Sequence, residues 1–288
     1  MRFLRRGFSE DRYGVTNVVS LVLITGIVIS LIGLVFTSYL PAWGKDVEAQ
    51  TLNSVMDSFM DLKGSMDTLS VNGDEGVSLT TSIKLGSTGG PVFGFGRMTG
   101  SLEVNADWGR MVISDTGVPP KNYGISRGSI EYKSSNNYVD EQNIHLEGGA
   151  IVREQLGSSV IKGPPNIIIS EDAGGELILY VLSTSIEGEM NSYSGTGTNM
   201  ITMTLISHTD TSYDIPPGSG ISITIRTMFG LTWEGHMDGY LQSHGLVRDT
   251  DYSISLGSDP EGFDTFGITF LTLDRMDLRT TFFSVYIT

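Results

Sequence analysis

Of the 288 residues, 33 are Asp or Glu and 18 are Lys or Arg, a formal net charge of −15, with 36 glycines and no cysteine. An acidic chain offers no basic field for phosphates, so nucleic acid is not expected as a partner, and the missing thiols exclude disulfide scaffolds, Cys-ligated zinc, iron–sulfur clusters and cysteine nucleophiles. With only 18% charged residues and abundant glycine, the composition points to turn-rich β structure rather than a helical bundle or charged disorder.

Residues 1–14 form a charged leader in which Arg2, Arg5, Arg6 and Arg12 outnumber Glu10 and Asp11. Residues 15–40, VTNVVSLVLITGIVISLIGLVFTSYL, hold no charge at all, and about 20 apolar residues are enough to cross a bilayer as a helix. A transmembrane helix is therefore expected there. The arginines on its leading flank orient the N-terminus to the cytoplasm. The portion after the span has 14 basic and 31 acidic residues and is expected outside. A removed secretory signal does not fit, because the apolar run is about twice the usual length and ends in Tyr39-Leu40-Pro41 rather than small residues. On a helix turning 100° per residue, Gly26, Ser30, Gly33 and Thr37 share one side while Ile24, Val28, Leu31 and Val35 lie opposite. Small residues let helix backbones approach closely in lipid, so this side is the expected packing face.

The basic leader, Arg12-Tyr13-Gly14, and then Val15-Thr16-Asn17-Val18-Val19-Ser20 opening a long apolar helix together resemble the N-terminus of archaeal type IV pilins and archaellin-like surface proteins with large β-rich ectodomains. The resemblance covers roughly a tenth of the chain. It implies that a leader peptidase clips between Gly14 and Val15, with Gly7 a second candidate. It also implies that the apolar helix holds the protein in the membrane until it assembles with copies of itself or related pilin-like subunits into a cell-surface filament. One position departs from the bacterial pattern, which places Glu fifth in the mature chain where this sequence has Val19. No catalytic activity and no cofactor follow from the resemblance. The alternative is a permanently anchored ectodomain for adhesion or for binding an envelope component.

Pro41 is expected to stop or kink the helix, with Trp43 at the membrane interface. Over 42–70, Leu52, Val55, Met56, Phe59, Leu62, Met66 and Leu69 recur at three- and four-residue steps, which predicts an amphipathic helix laid on another apolar surface. Asp57, Asp61 and Lys63 fall off that stripe, and Gly64 weakens the helix without ending it.

From 71 to 288 the period changes to two. Ile221-Ser222-Ile223-Thr224-Ile225-Arg226, Ile201/Met203/Leu205 and Val77/Leu79/Thr81 alternate with polar residues as half-buried strands do. Asn166–Ile169 and Leu177–Leu182 read as strands buried on both faces, joined by a hairpin at Gly174-Gly175, and Phe282–Ile287 as a terminal strand. The fold class is therefore mainly β: a transmembrane and an amphipathic helix followed by an antiparallel, sandwich-like domain of two sheets. Breaker clusters allow one elongated domain or two lobes with a seam near residue 160.

Chemistry-bearing patterns are sparse. His145, His208, His236 and His244 have no zinc-helix spacing; His236-Met237-Asp238 and His208-Thr209-Asp210 each offer a nitrogen and a carboxylate on one strand face, but half-exposed loop histidines are the expected reading. Gly94–Gly100 misses the dinucleotide-loop spacing and reads as a turn. Asp259, Glu261 and Asp264 surround Gly262 as a weak calcium candidate, without the usual loop spacing. Tyr193, Trp233 and Tyr240 could stack on sugars, though strand aromatics more often belong to a core. No Asn-x-Ser/Thr acceptor occurs.

Overall fold

The computed structural model describes residues 11–89, 97–105, 109–188, 191–259 and 262–288. The N-terminal helix is continuous: α1 (Asp11–Leu34) passes through one wide π turn (Val35–Tyr39) into α2 (Leu40–Asn72). Pro41 does not stop it. The π turn, in which the Leu40 N–H reaches Val35 O, lies just ahead of the proline and accommodates the hydrogen bond that its ring cannot donate.

The rest of the chain is mainly β, in three sheets rather than the expected two. The first has the order β1 (Ser78–Lys84), β13 (Thr198–Asp214), β17 (Arg275–Ile287), β11 (Leu177–Glu187), β10 (Ile167–Glu171). The second runs β12 (Asn191–Gly195), β3 (Arg97–Asn105), β6 (Ser129–Ser135), β7 (Gln142–Glu147), β8 (Ala150–Gln155), β9 (Ser158–Gly163), with β2 (Ser87–Thr88) beside β3. The third runs β15 (Tyr252–Ser258), β16 (Asp264–Phe270), β14 (Ile221–Thr227), β4 (Met111–Asp115), β5 (Asn122–Ser126). Neighbouring strands pair antiparallel except β11 with β17, which run parallel from Ile178↔Arg275 to Glu187↔Ser284. The hairpin at Gly174-Gly175 forms as expected: Asp172 Oδ1 accepts the N–H of Gly174 at 2.7 Å and of Glu176 at 3.0 Å, and Gly175 takes φ +86°, a conformation natural to glycine.

Two cores result, one on each face of the first sheet. Along β17, Met276 and Leu278 belong to one core and Phe283, Val285 and Ile287 to the other. Along β11, Leu179 and Val181 part from Ile186 in the same way. Alternate residues of a strand point to opposite faces, so the odd–even switch puts the two cores on opposite sides. The α2 stripe predicted from Leu52 to Leu69 is buried in one core, against Leu102, Tyr132 and Ile144 of the second sheet and Met203 and Phe283 of the first. The third sheet fills the other core with Ile221, Ile223 and Ile225 and covers it with a helix the sequence reading did not anticipate, α3 (Gly230–Ser243), through Trp233, Met237 and Leu241. The cores draw on interleaved stretches of the chain rather than meeting at one boundary.

Three expectations need correction. Lys63 is buried, not off the packed face of α2, because its ammonium is held by Asp67 Oδ2 at 2.6 Å and Asn166 Oδ1 at 2.9 Å. The β10 and β11 strands are not buried on both faces: Ile168 is 53% exposed and Tyr180 38%. Along β1 only Ile83 is buried: Leu79 sits on this edge strand and Val77 just ahead of it, and both stay exposed.

Candidate functional site

From Thr16 to Asn72 the helix has a split environment. Its apolar window is wholly exposed and qualifies by length and composition as a candidate membrane span, whereas burial in the head begins at Leu40. Thr16 to Tyr39 is about 36 Å of helix at 1.5 Å per residue, against a hydrocarbon core of about 30 Å. A Cβ added at Gly26 or Gly33 would meet nothing within 4 Å. Ser30 and Thr37 turn their hydroxyls back onto the carbonyls of Gly26 and Gly33, each at 2.8 Å, which satisfies both polar groups inside the helix, as lipid requires. Gly14 and Val15 fall within α1, and residues 1–10 of the leader lie outside the described residues.

Where the helix enters the head it is clamped. Glu48 is fully buried, and its carboxylate accepts the backbone N–H of Asn137 at 2.9 Å, Tyr138 at 2.8 Å and Val139 at 2.9 Å, all in the β6–β7 loop. One turn earlier Gly44 faces the Tyr138 ring, so that a Cβ there would sit 2.6 Å from it. The signal existed in the sequence: Glu48 continues the apolar stripe one turn ahead of Leu52, and a charge in such a stripe needs a buried partner. The partner, a loop about ninety residues away, was not readable.

The residues singled out by sequence scatter. His145 is buried in β7, with Nδ1 3.2 Å from Glu131 Oε1 and its ring against Phe229 at 4.8 Å; burial lowers its pKa. His208 is exposed on β13, and its neighbour Asp210 is committed to Arg279. His236, Asp238 and Tyr240 lie on α3 rather than on a strand, and His244 caps its end. Burial lowers the pKa of His236. Trp233 is core, its indole N–H donating to Glu147 Oε1 at 3.0 Å, and the Tyr240 hydroxyl accepts the Ile169 N–H at 3.1 Å. Neither is a free sugar platform; Tyr193 is partly exposed on the edge strand β12. Asp259 bonds Arg226 at 2.6 Å and accepts the Phe263 N–H at 2.9 Å, which directs its carboxylate to a cation already in the chain. Asp264 begins β16, and Glu261 lies outside the described residues; of the expected Gly94–Gly100 turn, residues 94–96 lie outside them too, while Arg97–Gly100 open strand β3 rather than a turn. Among the described residues no three His, Asp or Glu side chains are grouped to hold a metal ion.

Sequence reasoning missed two polar arrangements. Glu147 is buried at the junction of the second and third sheets, accepting from the Thr227 hydroxyl and the Trp233 indole. Desolvation, the dominant effect, raises its carboxyl to about 7 against the pull of those two donors. The other is a groove. Beyond the end of α2 the same face of the first sheet continues uncovered, in cross-strand rows Asp210–Arg279–Leu182 and Ser212–Asp277–Tyr180–Ile168. With Asp67 and Val71 of α2 and Asn166 as its wall, it encloses about 410 Å³. Arg279 binds the Asp210 carboxylate through two nitrogens and donates to Ser70 O at 3.0 Å and Val71 O at 2.9 Å, closing the helix end. These bonds hold the Asp210 carboxyl below its ordinary pKa.

The sequence profile of a family of unknown function (DUF7289) matches residues 13–257, so the chain belongs to that family. No curated protein and no solved structure matches it.

Proposed function

We propose that the chain is a pilin-like structural subunit of an archaeal cell-surface filament. On this reading the apolar half of the helix serves membrane retention and then assembly, and the β domain is the exposed head. One observation carries it: a single helix of 57 residues stands free over its apolar half and forms the spine of a head core over the other half. A simple anchor needs only the first half. The reading includes a cytoplasmic N-terminus, an outer head and clipping between Gly14 and Val15 by a leader peptidase, and its partners are the membrane and further copies or related subunits.

The test is the N-terminal residue of protein recovered from cells, together with protease added to intact cells. The proposal expects Val15 at the N-terminus and loss of the head. Protein beginning at Met1 would refute it and leave the second reading, a permanently anchored ectodomain that binds an envelope component. The open groove at the far end of α2 is the observation that favours that reading.

A further inference from the structure

We propose that the groove beyond the end of α2 is a binding site for a neutral, hydroxyl-rich saccharide. Its volume of about 410 Å³ lies within the usual range for small-ligand sites. The floor is apolar and partly flat: Tyr180 at 38% exposure, Ile168 at 53% and Leu182. An aromatic ring with a polar tip beside aliphatic carbons suits a molecule that has both C–H faces and hydroxyls.

The polar groups around that floor are fixed, and their charges are already answered. Asp67 is held by Lys63 at 2.6 Å and by the Asn166 amide at 2.6 Å, Asp277 pairs with Arg275 at 3.2 Å, and Asp210 pairs with Arg279. A cation would have to compete with three resident partners, and an anion would find Arg279 engaged by a carboxylate and two helix carbonyls. What remains are oriented lone pairs and N–H groups, which hydroxyls can both donate to and accept from.

Other occupants fit less well. A stable protein partner needs about 800 Å² on each side, more than this depression offers. Lipid is remote, since Leu40 to Val71 is about 45 Å of helix at 1.5 Å per residue and the groove opens at the Val71 end. The proposal does not depend on leader clipping or filament assembly.

The experiment uses the purified full chain in a detergent without a sugar headgroup. The probes are neutral oligosaccharides of glucose, galactose, mannose and N-acetylglucosamine at millimolar concentration, followed by saturation-transfer NMR and titration. At least one is expected to bind. Tyr180→Ala should weaken binding about tenfold, Tyr180→Phe should retain most of it, and Ile168→Asp, at an exposed edge position where folding is not at stake, should also weaken it. No binding by any of the four classes would overturn the site. So would binding unaffected by Ile168→Asp and Tyr180→Ala, or tighter binding of a uronic-acid counterpart than of the neutral sugar.

Discussion

Replacing Glu48 by Ala removes one buried carboxylate and leaves three partly buried backbone N–H groups of the β6–β7 loop without their acceptor. A hydrogen bond to a charged group contributes about 1.5–3 kcal/mol, and three on one carboxylate do not add fully. Leaving a donor unmet costs about 1–3 kcal/mol, and three partly buried ones, less than additive, put the expected loss at about 3–5 kcal/mol. At about 2–4 °C per kcal/mol for a domain of this size, the melting temperature should fall by roughly 6–20 °C. Glu48→Gln should be intermediate, because its amide turns an N–H toward one of the loop N–H groups that Oε1 and Oε2 now accept. Thermal unfolding of the full chain by circular dichroism measures the loss, and amide exchange locates it. Protection should fall first at Asn137, Tyr138 and Val139. Glu75→Ala, at an exposed position just beyond α2, is the control and should change little. A Glu48→Ala protein that melts within about 2 °C of the parent, with the loop still protected, would refute the clamp.

Burial raises the Glu147 carboxyl from 4.5 to about 7, so between those pH values the folded state holds a proton that the unfolded state releases. Stability should therefore fall by about 3 kcal/mol as pH rises through that window and level off above it. His145 contributes the opposite slope, because its lowered pKa loses stability as pH falls; Glu147→Gln should flatten the Glu147 component, and an unchanged pH profile in urea melts would sink the assignment. Since Asp259 is engaged by Arg226, calcium or a chelator should leave the melting temperature in place, and a calcium-dependent rise of several degrees would return the loop to the metal-site reading. Gly26→Leu with Gly33→Leu should abolish assembly without unfolding the head, whereas Ile24→Ala with Val35→Ala should do much less; filament yield unaffected by the leucines would make the small-residue side incidental.

The sequence made the local elements legible wherever one face alone decides burial. The α2 stripe, the three isoleucines of β14 and the alternation in β13 are buried as their periods require. α3 escaped because Gly230, Gly235 and Gly239 mask its propensity, although Trp233, Met237 and Leu241 recur every fourth residue. Three sheets rather than two were not readable, since β17 joins β11 in parallel across about ninety intervening residues and nothing local encodes such a pairing. His145 was expected as a half-exposed loop histidine and Glu147 was not singled out; the packing of Phe229 against one and of Trp233 of α3 against the other accompanies their burial, and no local pattern encodes those contacts. The groove needs four strands and the end of a helix to exist at all, so no motif announced it.

The central claim, that the exposed apolar half of the helix packs against other copies, is tested most directly by disulfide crosslinking in native membranes or filaments. The chain contains no cysteine, so a single introduced thiol reports without background. Ser30→Cys, on the small-residue side, should give a crosslinked dimer in high yield, and Leu31→Cys, on the opposite side, should give little. Absence of crosslinking at Ser30→Cys, with the protein present and its head folded, would contradict the claim.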